Sequence, residues 1–531
     1  MLDLLIIGGG IVGCGAARDA AMRGLSVALV EQADIASGTS SRSSKLVHGG
    51  LRYLEQGEFS LVFEAVSERR VLMDIAPHLV NPLAFLFPVY KHSRRGIRTI
   101  NLGMWLYDGL SLFRSPKIHR KLSPKDVRAE EPALDATNLT GAPLYYDCST
   151  DDARLTLENA MDAVAHGAAV HTYTRVTGLV RDTQGRVTGA RVVDTHSGNE
   201  RVIEARAVIN ATGPWTDRVR ASAKPLLRPT KGVHVVVDRD KLPVNHAVVC
   251  FHPTDGRVLF ALPWGDRTYI GTTDTDYTGD PAEVAATADD VTYLLGAANH
   301  YFPAHPLTGA DVISTWAGLR PLMSGEGTAS SVSREHDIVV DADGLITIAG
   351  GKLTTFRKMA KEVVDRAVAM LRLTGALSHD VGDAHTARHP LPGAVGWPED
   401  DDHGRVEARI RETGPADEAT ARLFATTYGT RGTDLAARMA QDQTAAEPLV
   451  EGRPERMVQV DWAVEKELAR AVSDVMIRRT QLYFRDLDQG LGAAPKVATR
   501  MAKLLGWSEE RREREIAEYQ AEVARSRAWR G

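Results

Sequence analysis

The chain opens with Leu4-Leu5-Ile6-Ile7-Gly8-Gly9-Gly10-Ile11-Val12-Gly13, and this stretch decides the fold. The four apolar residues predict a buried strand, the Ala-rich residues 14–23 a helix, and the apolar run 25–30 a second strand that ends in Glu31. Strand, glycine turn, helix, strand and acid follow one another as in a βαβ dinucleotide-binding unit. Gly8 permits the tight turn, Gly10 lets a pyrophosphate approach the backbone, Gly13 lets helix and strand pack closely, and Glu31 accepts hydrogen bonds from a ribose. Unpaired N–H groups and a partial positive charge at the helix start favour the diphosphate. The motif names neither the dinucleotide nor the chemistry.

Working outward, two more strands run into glycine turns. The apolar run 202–209 leads to Asn210-Ala211-Thr212-Gly213-Pro214-Trp215, and 345–349 leads to Gly350-Gly351-Lys352-Leu353-Thr354-Thr355, after which 356–371 has strong helical spacing. Both suit the carboxyl edge of a doubly wound sheet, and the second lacks the Gly-x-x-x-x-Gly-Lys-Ser/Thr spacing of an ATP-binding P-loop. Residues 39–54 form a loop rich in Ser and Gly that also carries Lys45, His48, Arg52 and Tyr53. Its hydroxyls and N–H groups suit phosphate oxygens, and Gly49-Gly50 allows close approach to a flat ring.

At 531 residues the chain predicts two or three domains, and a net charge of −5 gives no reason to expect nucleic acid. Cys14, Cys148 and Cys250 are widely spaced, which suggests neither disulfides nor a zinc site and fits a reducing compartment. The first residues read as a strand without a secretory signal, and no run reaches the length of a membrane span. Asp151 and Asp152 are read as helix caps rather than metal ligands. The segment 274–279 imitates a calcium loop but has Ala285 where a bidentate Glu is required, so no metal site is expected.

The runs Thr39-Ser40-Ser41 and Ser43-Ser44-Lys45-Leu46-Val47-His48-Gly49-Gly50-Leu51-Arg52-Tyr53-Leu54 resemble the signature of FAD-dependent glycerol-3-phosphate dehydrogenases of the aerobic, quinone-linked type. Further matches spread from residue 1 to about residue 360, with weaker similarity in the tail. The resemblance implies FAD, cradled by Gly8, Gly10, Gly13, Glu31, Ser40, Ser41, Lys45, Leu46, His48, Gly49, Ala211, Gly213, Gly351, Lys352, Leu353 and Thr354, with Val176 against adenine. It implies a glycerol phosphate pocket lined by Arg52, Tyr53, His234, Arg320, Arg334 and Lys352. The implied reaction is oxidation of sn-glycerol 3-phosphate to dihydroxyacetone phosphate by hydride transfer from C2 to flavin N5, with a quinone as electron acceptor. His48 and His234 are the candidate bases, with an orienting or hydrogen-bonding role equally open to each, and Arg320 and Lys352 would stabilise alkoxide and reduced flavin. An oxygen-using glycerol-3-phosphate oxidase, an amine or amino-acid oxidase of the same fold, and a flavin-bound sensor or scaffold stay open as alternatives.

The predicted fold is α/β. It comprises a Rossmann-like FAD-binding domain of the glutathione-reductase/D-amino-acid-oxidase type (1–80, 148–215 and 331–375) and an antiparallel-sheet substrate domain (81–147 and 216–330). A linker (376–398) leads to a C-terminal all-helical domain (399–531). In that last domain 464–482 and 508–528 read as amphipathic helices, with capping or dimerisation as the expected role and a homodimer as one arrangement open to it. Residues 91–121 combine Lys91, Arg94, Arg95, Arg98, Arg114, Lys117, Arg120 and Lys121 with an apolar, Trp-bearing segment opposed only by Asp108. That pattern suits a surface lying on anionic lipid, and equally a segment 104–113 packed into the core with its Arg and Lys residues solvated; the resemblance to monotopic membrane enzymes favours lipid, so peripheral attachment to the inner face of the cytoplasmic membrane is expected of an otherwise cytoplasmic protein.

Overall fold

The structure is a computed structural model and describes residues 1–50, 57–111, 117–221, 224–324, 335–377 and 380–531. Arg52, Tyr53 and Arg334 lie outside the described residues.

The opening stretch forms strand β1 (Leu2–Ile7), helix α1 (Ile11–Met22) and strand β2 (Val27–Val30). In the first sheet β1 lies between β2 and the strand Glu200–Asn210, parallel to both, and Ile346–Gly350 adds in parallel beyond the latter. Apolar residues fill these strands because helices cover their faces. On one face α1 presents small residues: a Cβ on Gly15 would meet Ala360 and Phe356 at 3.1 Å, which is why the helix Phe356–Leu373 packs so close to α1. An antiparallel meander of Thr174–Arg181 and Val187–Asp194 extends the strand Glu200–Asn210.

Among the described residues the second sheet has eleven strands. Leu227–Asp238 runs antiparallel between Arg267–Gly271 and Val312–Met323, while Asn81–Leu86 and Leu139–Ser149 join from the earlier part of the chain. The pairing is largely antiparallel, with one parallel contact, Ala247–Phe251 beside Asn81–Leu86. Leu46–Val47, from the loop after β2, pairs with Leu139–Ser149, so that loop bridges the two sheets.

The tail is helical, but 464–482 is not one helix. Val458–Lys466 ends, Leu468 takes φ 60°, a π-helical turn covers Asp474–Arg479, and Gln481 again takes φ 60° before Leu482–Arg485. Tertiary charge overrides the amphipathic spacing here: the Asp474 carboxylate accepts hydrogen bonds from Arg470 N (2.8 Å) and Ala471 N (2.9 Å), and Arg154 draws the Glu467 carboxylate to 2.6 Å. The segment 376–398 is likewise not a free linker. Arg18 on α1 donates to Thr386 O and His389 O, and Gly393 N donates to the buried Glu158 carboxylate, which straps the segment onto the first sheet's helices. Tail residues Val472, Met476 and Phe484 share one core with Leu46, Leu262 and Trp316.

Candidate active site

The parallel register aligns Ile7 with Val30 and Asn210, and Asn210 with Thr347. Gly8, Glu31, Ala211 and Gly351 therefore leave the sheet at one carboxyl edge, where open α/β sheets bind dinucleotides. Gly8 sits at φ 111°, and a Cβ there would lie 2.6 Å from Ala211 O, so glycine alone fits. Glu31 accepts hydrogen bonds from Gly9 N (2.7 Å) and Ala33 N (3.0 Å); burial nevertheless pushes its carboxyl above the ordinary value. Ser40 Oγ accepts from Ile11 N at 2.9 Å and so joins the loop after β2 to the start of α1. Val176 lies on the strand Thr174–Arg181, which begins one residue after Tyr173, and packs in the same small core as Val30.

The loop that bridges the sheets is tied to the last glycine turn. His48 N donates to Thr354 Oγ1 (3.1 Å), whose hydroxyl donates back to His48 O (3.2 Å). Gly49 N donates to the Asp147 carboxylate, which also receives Tyr107 OH and the buried Arg69 guanidinium. Lys45 turns inward: its ammonium sits 2.6 Å from Asp152 Oδ1, with both side chains buried, so it balances an acid in the first turn of the helix Asp152–Ala165. Asp151 caps the same helix by accepting from Arg154 N.

The second sheet supplies the cations. Register places Arg320 opposite Thr230 and Trp316 opposite His234. The Arg320 guanidinium is braced by Asp274 Oδ1 (3.0 Å), Thr272 Oγ1 (3.0 Å) and Thr273 O (3.1 Å). His234 is stacked flat on Trp316, with ring centres 4.6 Å apart, and its Nε2 lies 2.9 Å from Ser44 Oγ while Nδ1 is buried without a hydrogen-bond partner. Burial, with Arg320 and Lys45 nearby, pushes its pKa well below 6.5. His234 is thus held neutral.

A cavity of about 1680 Å³ lies against the second sheet and the loop that bridges the sheets, where Ser44, His48, Thr272, Asp274 and Arg320 line it. It continues past Phe85, Tyr145 and Phe260 to Leu102, Trp105 and Leu106 of the helix Ile97–Leu110. His234 meets it through Ser44, and Lys352, half-buried at the head of the Leu353–Thr355 turn, is not among the described residues on its wall. The roles of Ser44, Thr272, Asp274 and Asp147 escape sequence reading, since nothing in their spacing links them to His234, Arg320 or Gly49.

Residues 3–366 match the family model of the FAD-dependent oxidoreductases, and residues 384–512 match that of the C-terminal domain of alpha-glycerophosphate oxidase. Glycerol-3-phosphate dehydrogenase 2 of Mycobacterium bovis is 41% identical over 98% of this chain and 88% of its own length. The chain belongs to the glycerol-3-phosphate dehydrogenase family of FAD-dependent oxidoreductases. The aerobic glycerol-3-phosphate dehydrogenase of Staphylococcus haemolyticus, another member, is 38% identical over 96% of this chain and 91% of its own. The crystal structure of the family's Bacillus halodurans enzyme, complexed with FAD, superposes with a TM-score of 0.81 at 35% identity, covering 99% of this chain and 95% of that one. As a family member the chain takes FAD as its cofactor, and the glycine edge described above fits an elongated dinucleotide. No helix among the described residues is long and apolar enough to cross a membrane.

Proposed function

We propose that the protein oxidises sn-glycerol 3-phosphate to dihydroxyacetone phosphate and passes the electrons to a quinone at the inner face of the cytoplasmic membrane. One observation carries this reading: a single cavity is lined both by Arg320 and His48 and by exposed apolar side chains of the helix Ile97–Leu110. A phosphorylated polyol suits the cationic end and an isoprenoid quinone the apolar end.

The bound FAD supplies the two-electron acceptor for the C2 hydride. Arg320, fixed by Asp274 and Thr272, meets anionic oxygen, either the phosphate or the alkoxide forming at C2. Removal of the C2 hydroxyl proton falls to His48, which lines the cavity. His234 is a poor base because protonation would place an imidazolium in a buried site beside Arg320 and Lys45; its work is to orient Ser44 Oγ. Arg52, Tyr53, Arg334 and Lys352 complete the phosphate pocket on the strength of the family resemblance. Gly8, Gly10 and Gly13 give the diphosphate room at α1, Glu31 holds the ribose, and Val176 backs the adenine. Ser40, Ser41, Leu46, Gly49, Ala211, Gly213, Gly351, Leu353 and Thr354 frame the remainder.

Anaerobic addition of substrate tests the reading. Glycerol 3-phosphate should bleach the yellow flavin band, glycine and D-alanine should not, and a soluble quinone should restore the colour faster than air-saturated buffer. Bleaching by an amino acid, or reoxidation led by oxygen, would favour the oxidase alternatives.

A further inference from the structure

The helical tail reaches back to the dinucleotide edge. Consecutive residues of an α-helix point roughly 100° apart, but the wider π turn Asp474–Arg479 brings two neighbouring arginines onto one carboxylate. Arg478 Nε lies 2.5 Å and Arg479 NH1 2.7 Å from Asp34 Oδ2, and Arg479 NH2 lies 3.0 Å from Asp34 Oδ1. Asp34 is fully buried.

Asp34 belongs to the loop that Glu31 begins, and this loop wraps the glycine turn: Ala36 N donates to Gly9 O at 3.0 Å, and the Glu31 carboxylate takes Gly9 N and Ala33 N. The same π turn grips the facing wall. Tyr173 OH donates to Asp474 Oδ1 at 2.7 Å, while Tyr173 N donates to Ala33 O at 2.8 Å, three residues ahead of Val176. Both walls of the predicted adenosine site are therefore fastened from the tail.

We propose that Arg478 and Arg479 are positioning residues of the FAD site, fixing through Asp34 and Asp474 the loop 31–37 and Tyr173, and so the Glu31 carboxylate that meets the ribose. The proposal rests on the assignment of Glu31 to the ribose. It makes the tail a component of the cofactor site rather than a separate cap, and it requires FAD retention to depend on residues that do not touch FAD.

The test is FAD release from the full-length holoenzyme, followed by the recovery of flavin fluorescence on dilution. Arg479→Lys keeps the charge but loses the forked contact, and Arg478→Lys does the same; each should speed release by about tenfold. Arg456→Lys, which weakens the Arg456–Asp417 pair (2.6 Å) inside the tail, is the control for general loosening and should leave release unchanged. Unchanged release in a folded Arg479→Lys protein overturns the proposal, as does equal acceleration by Arg456→Lys. Glu31→Gln separates the two layers: if it has no effect, the ribose assignment fails, and if it alone accelerates release, the clamp fails. Should the arginine variants not fold, hydrogen exchange on the unmodified holoenzyme decides: 31–37 and 474–479 must open together, and independent opening overturns the clamp.

Discussion

A Cβ added to Gly232 would lie 2.5 Å from Arg320 NH2 and 2.6 Å from Thr272 Oγ1. Arg320 is held on three sides, so it has nowhere to retreat without leaving Asp274 or Thr272. Gly232→Ala should therefore reproduce much of the effect of Arg320→Ala: turnover reduced by about 10²-fold in each, as for loss of one donor to a developing oxyanion, with flavin content unaltered. Steady-state kinetics with flavin absorbance checks this; wild-type turnover in Gly232→Ala would mean that Arg320 is not the group that meets the substrate. Residues of this kind divide by how readable they are. Gly8 and Gly13 are legible because only glycine tolerates that turn and that packing, so the requirement is written locally. The pairing of Lys45 is not legible: its partner, Asp152, stands more than a hundred residues away, and no local pattern announces a buried pair. For His234 the sequence leaves base and orienting group equally open, since the neutrality that separates them arises from burial, Arg320 and Lys45 together.

The helix Ile97–Leu110 buries Met104, Tyr107 and Asp108 and exposes Leu102 (71%) and Trp105 (53%). Its acid does not neutralise the basic flank: Asp108 is buried against His119 Nδ1 at 2.7 Å, leaving Arg94, Arg95 and Arg98 at the surface. The helix Phe59–Ile75, packed beside it, adds exposed Phe59 and Phe63. Basic residues near an anionic bilayer contribute about 1 kcal/mol each, so reversing Arg94, Arg95 and Arg98 should weaken partitioning onto anionic vesicles by about 10²-fold or more. Vesicle flotation measures it, and unchanged partitioning would remove this surface from the membrane. Leu102→Asp with Trp105→Asp should weaken binding to neutral vesicles as well, because it removes the apolar contribution. The apolar spacing of this helix was legible, whereas the break in 464–482 was not. No glycine or proline marks Leu468 or Gln481; Asp474 instead holds the nearby Arg470 and Ala471 N–H groups, and Glu467 pairs with Arg154, some three hundred residues away.

For the molecule as a whole, several histidines are kept neutral by their surroundings. His171, His196, His234 and His389 all lie below the ordinary 6.5, chiefly through burial, with Arg201, Arg511, Arg320 and Arg18 adding to it; His196 is pushed down to about 4. A depressed histidine binds its proton more weakly folded than unfolded, so its contribution is fully present above pH 6.5 and is lost as pH falls towards the folded value. Glu158 follows at lower pH: burial would raise it, but His78 and Arg154 overcome this and hold it near 2, so its contribution is lost between about 4.5 and 2. Thermal melting should show a fall beginning near pH 6.5 and a steeper one below 4.5. His196→Gln should blunt the first, since His196 stacks on Tyr173 and faces Arg511 of the last helix. A flat melting temperature between pH 7 and 5 would count against this account.

The order of the strands also carries a consequence for how such a chain is made. β1 emerges first, yet its neighbour Glu200–Asn210 arrives some two hundred residues later, Ile346–Gly350 later still, and the arginines that hold Asp34 only at positions 478 and 479. A nascent chain thus carries its glycine turn through most of synthesis with open strand edges and no finished cradle. If Arg478 and Arg479 brace the cradle as proposed, cofactor loading belongs to the end of translation, and a chain that stops short of the tail should fail to retain its flavin.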